Sequence, residues 1–512
     1  MTPVEVPVAP TGDTTAAGPD LRLVPAALTS WLVTAAGIEW PATAGPAAIA
    51  GALLVIGGLA CRVRVRALTA GLVALGVVTA GFAAAIGFRD AAIDRHPFTA
   101  LVGADRTVTV TATESAVRVG STRLMFRATL LRVEDTPVTG RVVVFMSTRT
   151  FGTVMVGQPV TFRAHITEPT RRDLTVAVLN AVGPPSRGRA GPLHRAAHGV
   201  RCRFSAASRT ALPGEQAALL PALVLGDTTA LSGTADREFK AAGLTHLMAV
   251  SGANVTVVCG AVLLSAWLIG PRAAVLLAAT ALLAFVIVVQ PTASVLRAAV
   301  MGAIALAGVL SSRRRQAIPS LAASVLVLMV FAPQLAVDVG FALSVVATAA
   351  LVVVAPVWSR HLVGRRWPKP LADAVAIAAA AQLVTAPLIA GISGRVSVVS
   401  AAANLAVAAL IAPITVLGSA AAALSGPCPV AAEVLIRFTG PAVWWVRAVA
   451  HWAGGLPGAT VPVPAGAGGV ALVAALTVAA VAGWRWRWCW VMLAACGLLL
   501  LSWTLSGVLG GG

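Results

Sequence analysis

Polar side chains are concentrated in one stretch of a mainly apolar sequence, from Leu223 to Val258. The second half of this stretch is apolar enough to enter a membrane, yet it carries His246, Ser251 and Asn254. Polar groups are costly at membrane depth and usually face a cavity or a partner helix. Because Ser251 and Asn254 are three residues apart, they share a helical face, and His246 stands near the outer mouth. We expect these three side chains to line a polar passage.

The same side chains fit two other roles. Ser251 and Asn254 can hydrogen-bond a neighbouring helix, with Gly252 allowing the helices to approach closely. Asp227, His246 and Ser251 match an intramembrane hydrolase in residue type, but a hydrolase needs them within hydrogen-bond reach. Since no spacing in the sequence brings these three together, we predict no catalytic residue and no enzyme activity.

Later apolar segments also carry polar residues, and the most costly is Arg297. A guanidinium at the bilayer centre costs about 3 kcal/mol, so Arg297 should snorkel, pair with a carboxylate or line water. We expect Arg297 and Gln382 to line the passage, whereas Asp338 stands near a span end. Asn404 is a further polar residue at membrane depth. Three prolines interrupt apolar runs, and such breaks tend to border cavities. They are Pro291, Pro387 and Pro413.

Residue spacing excludes nucleotide and metal chemistry. A P-loop needs Gly-Lys-Ser/Thr, but neither Lys240 nor Lys369, the two lysines of the chain, follows a glycine. His194 and His198 are spaced like two zinc ligands, yet Arg195 stands where a metalloprotease needs Glu. No His-x-His-x-Asp-His run and no Cys-x-x-Cys pair occurs. We therefore predict no metal and no cofactor.

The composition predicts a polytopic α-helical membrane protein. Of 512 residues, 58% are hydrophobic and 11% are charged, against about 25% charged in soluble domains. Since one span takes about 20 apolar residues, we expect about 11–13 spans. The apolar runs are 23–40, 44–60, 67–88, 243–269, 272–290, 294–311, 317–333, 336–356, 371–391, 396–424, 430–453, 462–483 and 488–507.

Arginine-rich short loops orient these spans. Cationic loops are retained in the cytoplasm, and the most basic loops fall on one side of the span count. These loops are 61–66, 311–316, 359–369 and 484–488. The N-terminus is then cytoplasmic and residues 89–242 lie outside the plasma (inner) membrane. Residues 1–22 lack the pattern of a cleavable signal peptide and are expected to form a disordered tail before the helices of 23–88.

Residues 89–186 alternate between apolar and polar side chains, with Gly, Pro, Asp or Thr between the runs. This pattern predicts β-strands. The strands are expected at 107–114, 123–133, 141–147, 159–168 and 174–182. Five strands in about 100 residues favour a small Greek-key barrel of the OB type, with a β-sandwich fragment as the alternative. We therefore predict an extracytoplasmic OB-like β-barrel inserted between two helical regions.

The outer segment is strongly basic, with 18 arginines against nine acidic residues between Arg89 and Glu215, and the whole chain carries +19. A solvated basic surface in an arginine-rich proteome is one explanation. The other is a barrel that follows the phosphates of a nucleic-acid strand and stacks bases on phenylalanine, with binding that weakens steeply as salt rises. The candidates are Arg123, Arg127, Arg163, Arg171, Arg172, Phe126, Phe145 and Phe162.

Residues 187–242 are predicted to form a basic amphipathic linker and helices that precede the channel. An apolar stripe from Leu193 to Ala211, with arginines elsewhere, favours an interfacial helix lying on the outer leaflet.

Five segments follow one another in the order and spacing of a known family. They are LVLGD (223–227), GLTHLMAVSGANV (243–255), SVLRAAVMG (294–302), DVGFALSVVATAAL (338–351) and APLIAGISGRVSVVSAAANLAVAALIAPI (386–414). Together with the preceding helices and outer barrel, they resemble the ComEC-type competence family, the inner-membrane DNA-uptake channels of naturally transformable bacteria. The resemblance covers residues 23–425.

The resemblance implies roles for five signature positions. Gly243 and Gly252 are expected to serve helix packing, and His246, Ser251 and Arg297 to line the channel. It also implies that residues 243–510 form the competence-type channel domain.

Three departures from the family pattern affect these expectations. Asn254 stands where many members have His, which argues against an essential proton-transfer role there. Many members end in a metallo-β-lactamase-like domain, whereas this sequence ends at Gly512 without one, so we expect a separate nuclease. Some members have a disulfide in the external domain, but residues 89–186 contain no cysteine.

The function that the resemblance implies is passage of single-stranded DNA through the lipid bilayer into the cytoplasm. An external DNA receptor would feed the channel, a cytoplasmic ATPase would pull the strand, and the channel could be a homo-oligomer. The alternative is a transporter or exporter of a small or envelope-related solute, with the barrel as a docking module; internal inverted repeats would favour it.

Overall fold

The computed structural model describes residues 20–60, 66–120, 122–148, 154–310 and 317–484. Within them the chain forms an N-terminal helical group, a β-barrel and a larger helical body. Several predicted features lie wholly or mostly outside the described residues. These are the tail 1–22, the basic loops 61–66, 311–316 and 484–488, and the apolar run 488–507.

Three apolar helices precede the barrel, and the first of them packs against the later helical body. They are α1 (Val24–Glu39), α2 (Ala44–Ala60) and α3 (Arg66–Asp94). The indole Nε1 of Trp31 donates to the Ala336 carbonyl oxygen at 2.8 Å. Its ring meets Phe341 edge-on, with centroids 5.4 Å apart. These contacts fix α1 beside the segment that carries Asp338.

All five predicted strands form, and a short strand that was not predicted joins them. The strands are β1 (Asp105–Ala112), β2 (Val117–Val119), β3 (Arg123–Val133), β4 (Thr136–Ser147), β5 (Pro159–Thr167) and β6 (Ala177–Arg187). In β5 every second residue is buried, as expected for a strand with one face in a core.

Strand β1 closes the sheet into a barrel because it pairs antiparallel with both β5 and β3. The closed order is β1-β5-β6-β4-β3-β1, and β2 is added at the edge of β3. The pair β4 and β6 is parallel, with Val142 opposite Ala177, so the chain crosses over through β5. The β-sandwich alternative is therefore wrong. Closure leaves the five long strands without a free edge.

The helical body follows the barrel. Its helices are α4 (Pro192–Ala211), α5 (Gly214–Leu225), α6 (Gly233–Ala241), α7 (Thr245–Met248), α8 (Gly252–Ser265), α9 (Pro271–Val289), α10 (Ala293–Leu310), α11 (Ala317–Phe331), α12 (Val339–Val353), α13 (Ala355–Gly364), α14 (Lys369–Ser393), α15 (Ser400–Leu424), α16 (Pro429–Gly455) and α17 (Ala467–Trp484). A two-stranded ribbon joins distant parts of it, β7 (Arg395–Ser397) with β8 (Thr460–Pro462).

The structure contradicts the prediction of an interfacial helix on the outer leaflet. Helix α4 packs its apolar side against other helices of the body. Phe204 is fully buried in the core of the helical body, and α4 packs against α5, α9, α15 and α16. Arg201 is also buried, because its Nη1 donates to the carbonyl oxygens of Leu225 at 3.0 Å and Val288 at 3.1 Å. It thereby joins the C-terminal ends of α5 and α9, where carbonyl groups lack partners within their own helices.

The predicted run 243–269 is not one helix. Helix α7 ends at Met248, the backbone is extended from Ala249, and α8 begins at Gly252 with Ser251 as its N-cap residue. Ser251 and Asn254 are thus not two positions on a continuous helical face. The break places a helix start inside the apolar part of the chain.

Six helical segments of the described residues are long and apolar enough to cross a membrane. They are Pro41–Leu59, Thr69–Leu101, Arg272–Val289, Val339–Gly364, Lys369–Ser393 and Ser400–Leu424. Several other predicted runs form shorter apolar helices, among them Gly252–Ser265, where the break before α8 shortens the helix, and Ala317–Phe331. The prediction of many apolar helices is confirmed, whereas the count of 11–13 spans stays a prediction.

Candidate functional site

A cavity of about 3670 Å³ extends from one face of the barrel into the helical body. Small-molecule pockets usually measure about 300–1,000 Å³, so this space is several times larger. It follows α10 from Ala293 to Gly308, about 22 Å of helix at 1.5 Å per residue. Among the described residues, eight arginine or lysine side chains and six carboxylates line it. The cavity can therefore hold an elongated, hydrated and weakly attracted anion.

The barrel arginines proposed from the sequence divide into two groups. Arg127, Arg171 and Arg172 line the cavity. Arg163 faces Asp105 instead, with 3.6 Å between Nη2 and Oδ2, and Arg123 lies over the Phe145 ring at 5.9 Å from its centroid. Only the first group can meet a strand that enters the helical body through this cavity.

Arg127 also holds the barrel against the helices. Its Nη1 lies 3.2 Å from Glu114 Oε2, and its Nη2 lies 4.0 Å from Asp338 Oδ2 at the start of α12. Beside it, the Ser115 hydroxyl and amide donate to Gln290 Oε1 at 2.8 and 3.2 Å. Gln290 and Asp338 precede α10 and α12, so the barrel contacts the ends of two cavity-lining helices.

Sequence reasoning missed Arg141 on β4. This residue lines the cavity, and its Nη1 is buried without a hydrogen-bond partner. Burial lowers the pKa of the Arg141 guanidinium, and the charge of Asp173 opposes that shift. The signal was available in the strand pattern, because Arg141 lies on the outward face of β4, next to Arg127 on β3.

The structure contradicts the base-stacking role predicted for Phe126 and Phe162. Their side chains are 1% and 3% exposed and belong to the barrel core. Each alternates with an outward arginine along its strand, so the ring points inward and cannot reach a base. Phe145 is half-buried on the outer face under Arg123.

Arg297 on α10 is the most buried cation that borders the cavity. It is 5% exposed. Its Nε donates to Ser344 Oγ on α12 at 3.0 Å, and Nη1 donates to Met301 Sδ at 3.2 Å. No carboxylate of the described residues forms an ion pair with it. Sequence analysis identified Arg297 but missed Ser344, a hydroxyl within the DVGFALS motif.

The polar residues around the start of α8 point in different directions. His246 and Ser251 line the cavity. Asn254 does not, which contradicts the prediction: it is 4% exposed, and its Nδ2 donates to the Leu223 carbonyl oxygen at the end of α5. Because α8 starts anew at Gly252, its rotation about the helix axis directs the Asn254 side chain toward α5 and away from the cavity. Its role is to join two helices.

Gln382 lines the cavity as part of a hydrogen-bonded group on three helices. Its Oε1 accepts from Ser400 Oγ at 2.9 Å, and Asn404 Nδ2 donates to the same hydroxyl at 3.2 Å. Ser397 Oγ donates to the Ala241 carbonyl oxygen at 2.7 Å. These contacts tie the C-terminal end of α6 to β7, and α14 to α15.

The two glycines assigned to packing lie at close approaches. Gly243 has φ +70°, and a Cβ there would clash with the Ser400 side chain. At Gly252, a Cβ would lie 3.1 Å from Arg297 Nη2. The missing Cβ atoms let the turn reach α15 and let the guanidinium reach the start of α8.

The described residues contain no metal cluster and no hydrogen-bonded triad of Asp227, His246 and Ser251. No group of three His, Cys, Asp or Glu side chains is arranged to hold a metal ion in the described part of the chain. The Asp227 carboxylate instead accepts from Thr229 Oγ1 at 2.6 Å, away from the cavity lining.

Comparison with protein families gives a match that covers most of the helical body. Searches of curated proteins and of solved structures gave no match. A family model described as "Competence protein" matches residues 223–489, just over half of the chain. This stretch runs from the end of α5 through α17 and contains the helices that line the cavity. The resemblance found in the sequence is thus confirmed, and the chain belongs to the competence protein family.

Proposed function

We propose that this protein acts in DNA uptake as an inner-membrane channel that passes single-stranded DNA into the cytoplasm during natural transformation. The observation that carries the proposal is the cavity of about 3670 Å³ that joins the arginine-bearing face of the barrel to the helical body. A polyanion cannot cross hydrocarbon and needs such a hydrated route. Family membership supports the role in DNA uptake.

The barrel is proposed to lie outside the cell and to receive the strand. Its strand order, with β4 and β6 parallel, supports an OB-like domain. The basic loops of the sequence support a cytoplasmic N-terminus. By family resemblance, an external receptor would deliver DNA, an ATPase would pull it, and a separate nuclease would remove the other strand.

The strand moves only if each contact is weak. Arg127, Arg141 and Arg172 would meet phosphates at the barrel, and Arg297 would meet them deeper in the body. Carboxylates such as Glu114 and Asp173 line the same cavity and limit how tightly phosphate is held. With this balance of charges the strand can pass through the channel instead of remaining bound in it. The proposal includes no catalytic step.

A steric plug tests the route. Gly260 lines the cavity, and a Cβ there would meet no atom within 4 Å, so Gly260→Trp can fill the passage with little strain at the backbone. Gly57 on α2 is equally open but does not line the cavity, which makes Gly57→Trp the matched control. Both variants would replace the channel gene in a transformable host, with membrane levels checked by immunoblot.

Gly260→Trp should abolish transformation by marked chromosomal DNA, while Gly57→Trp should keep it. Electroporation of the same marker should succeed in both strains. Normal transformation with Gly260→Trp at normal membrane level would overturn the route. Loss of small-solute export with intact DNA uptake would favour the exporter alternative.

A further inference from the structure

Helix α8 begins without the cap that its sequence offers. Ser251 occupies the N-cap position, where a serine hydroxyl usually accepts from the second or third amide of the helix. No such bond forms, and Ser251 Oγ lies 3.4 Å from Asn254 Oδ1 instead. The amides of Gly252 and Ala253 donate to no described residue. Ala253 is exposed to the cavity.

Arg297 brings a second positive group to the same place. Its side chain is 95% buried by accessible area, and two of its nitrogens are held by Ser344 and Met301. The remaining nitrogen, Nη2, points to the start of α8 and lies 3.1 Å from where a Gly252 Cβ would be. It donates to no described residue. Keeping this cation buried and unpaired is costly unless an anion comes to it.

We infer that the N-terminus of α8 and Arg297 form a binding site for a tetrahedral oxyanion, a phosphate group in chemical class. Free amides and the helix dipole favour negative charge at a helix start. A broken membrane helix whose N-terminus points at an anionic group is a recurring design in transporters. Here the guanidinium adds a full charge from the adjoining helix α10.

Gly252 allows the N-terminus of α8 and the Arg297 guanidinium to lie next to each other. Without a Cβ, the guanidinium and the first amides of α8 can approach one ligand together. Ser344 and Met301 fix the Arg297 fork, so the site is formed before an anion arrives. Preorganised donors lose less entropy when they bind.

The ligand is either a phosphodiester of a strand in the cavity or free inorganic phosphate. The first identity rests on the proposed function, whereas the oxyanion site itself does not. If the ligand is a strand, the site holds one phosphate at a time within the helical body. Inorganic phosphate and an oligonucleotide are therefore separate arms of the test.

The test uses a reporter cysteine at Ala253 in the full-length protein with its six native cysteines replaced. Reaction with anionic sulfonatoethyl and cationic trimethylammonium-ethyl methanethiosulfonate is measured in nanodiscs. Each rate is normalised to that of a free thiol.

We expect the anionic reagent to be favoured by about tenfold. Arg297→Gln should remove this preference, and inorganic phosphate should slow labelling. Short oligo-dT is tested in the same way. If it slows labelling at a lower concentration of phosphate groups than inorganic phosphate requires, the strand is the ligand.

Controls separate the site from the general potential of the cavity. Ala378→Cys on α14 lines the same cavity, and its reagent preference should not respond to Arg297→Gln. If Ala253→Cys does not fold, Thr256→Cys, exposed to the cavity one turn later, takes its place. Equal normalised rates for the two reagents, or a preference that survives Arg297→Gln, would overturn the site.

The outcome is independent of transformation. An anion preference that depends on Arg297, together with a Gly260→Trp variant that still transforms, would keep the site and remove the proposed route. If no anion preference is found but Gly260→Trp loses transformation, the proposed route is kept and the oxyanion site is removed.

Discussion

The ion-paired barrel arginines Arg106 and Arg127 and the buried Arg297 of the helical body have opposite electrostatic surroundings. On the barrel, Arg106 lies 3.6 Å from Glu134, Arg127 lies 3.2 Å from Glu114, and all these side chains are at least one third exposed. Arg297 is 5% exposed and has no carboxylate partner among the described residues. Water and acids surround the first group, whereas hydroxyl, thioether and apolar groups surround the second.

This difference changes what each charge indicates. An exposed ion pair contributes about 0–1 kcal/mol, so an ion-paired barrel arginine such as Arg106 can be kept or lost with little effect on folding. A buried unpaired guanidinium costs stability, and its presence needs a compensating role. Arg297 is therefore the stronger functional candidate, although the barrel carries far more arginine.

The largest expected effect on transformation comes from Arg297→Met, compared with Arg106→Met. Removing the buried charge should leave the purified protein as stable as before or more stable, by about 1–3 kcal/mol. Transformation should fall about 30- to 100-fold, which corresponds to about 2–3 kcal/mol of lost interaction with phosphate. Thermal unfolding in nanodiscs and transformation frequency measure the two effects.

Arg106→Met should change both quantities little. A stability loss in Arg297→Met that accounts for the transport defect would show that Arg297 supports folding rather than passage. The contrast between the two regions would then disappear.

The next effect separates the two faces of the barrel. Phe126→Ala should destabilise the barrel by about 3–5 kcal/mol, because it leaves a cavity in the core. Phe145→Ala should cost less than about 1 kcal/mol, since that ring is half-buried under Arg123. Hydrogen exchange of barrel amides in the full-length protein measures both. Similar costs for the two changes would contradict the assignment of inner and outer faces.

A smaller effect compares glycines of the two regions. Gly243 and Gly103 both have positive φ, but only Gly243 faces a close neighbour, Ser400. Gly103→Ala should cost about 1 kcal/mol from backbone strain alone. Gly243→Ala should cost about 1–3 kcal/mol more, because Ser400 must move. Equal melting temperatures in nanodiscs would show that the turn after α6 adapts freely.

The smallest effect is in salt dependence. Arg172→Gln, at the cavity, should reduce the slope of log K against log salt for oligo-dT binding by about 0.7. Arg163→Gln should leave the slope unchanged, because Arg163 faces Asp105 outside the cavity lining. Fluorescence anisotropy of the full-length protein at several salt concentrations gives the slopes. Equal slopes for both variants would mean that the strand does not distinguish the two faces.

Alternation and motif order made the barrel strands and the family predictable from the sequence. The inward position of Phe126 was also available, since it shares a strand face with Leu124, Ala128 and Leu130, opposite Arg127. The error was to treat an aromatic ring as a surface platform without asking which face it occupied. Burial of alternate residues decides this question.

Other features depend on contacts that no local pattern contains. The orientation of Asn254 follows from the break at Ser251. This break is visible only in the structure, where α7 and α8 are two separate helices. The outward position of Arg141 can be read from the alternation in β4, but its place at the cavity follows only from how the barrel and the helical body are assembled. The position of α4 depends on helices made much later in the chain, and amphipathicity alone cannot distinguish a lipid surface from a protein surface.

The contacts of Arg201 have a consequence for how the chain is made. Its acceptors at Leu225 and Val288 follow it by 24 and 87 residues. During synthesis the Leu225 carbonyl and the Asp227 carboxylate, which lies 3.8 Å from Arg201 Nη2, are therefore made well before α9. Helix α4 reaches its final place only after the C-terminal end of α9 has formed. Closure of the helical body around Arg201 is thus a late event, because one of its two carbonyl partners is made long after α4.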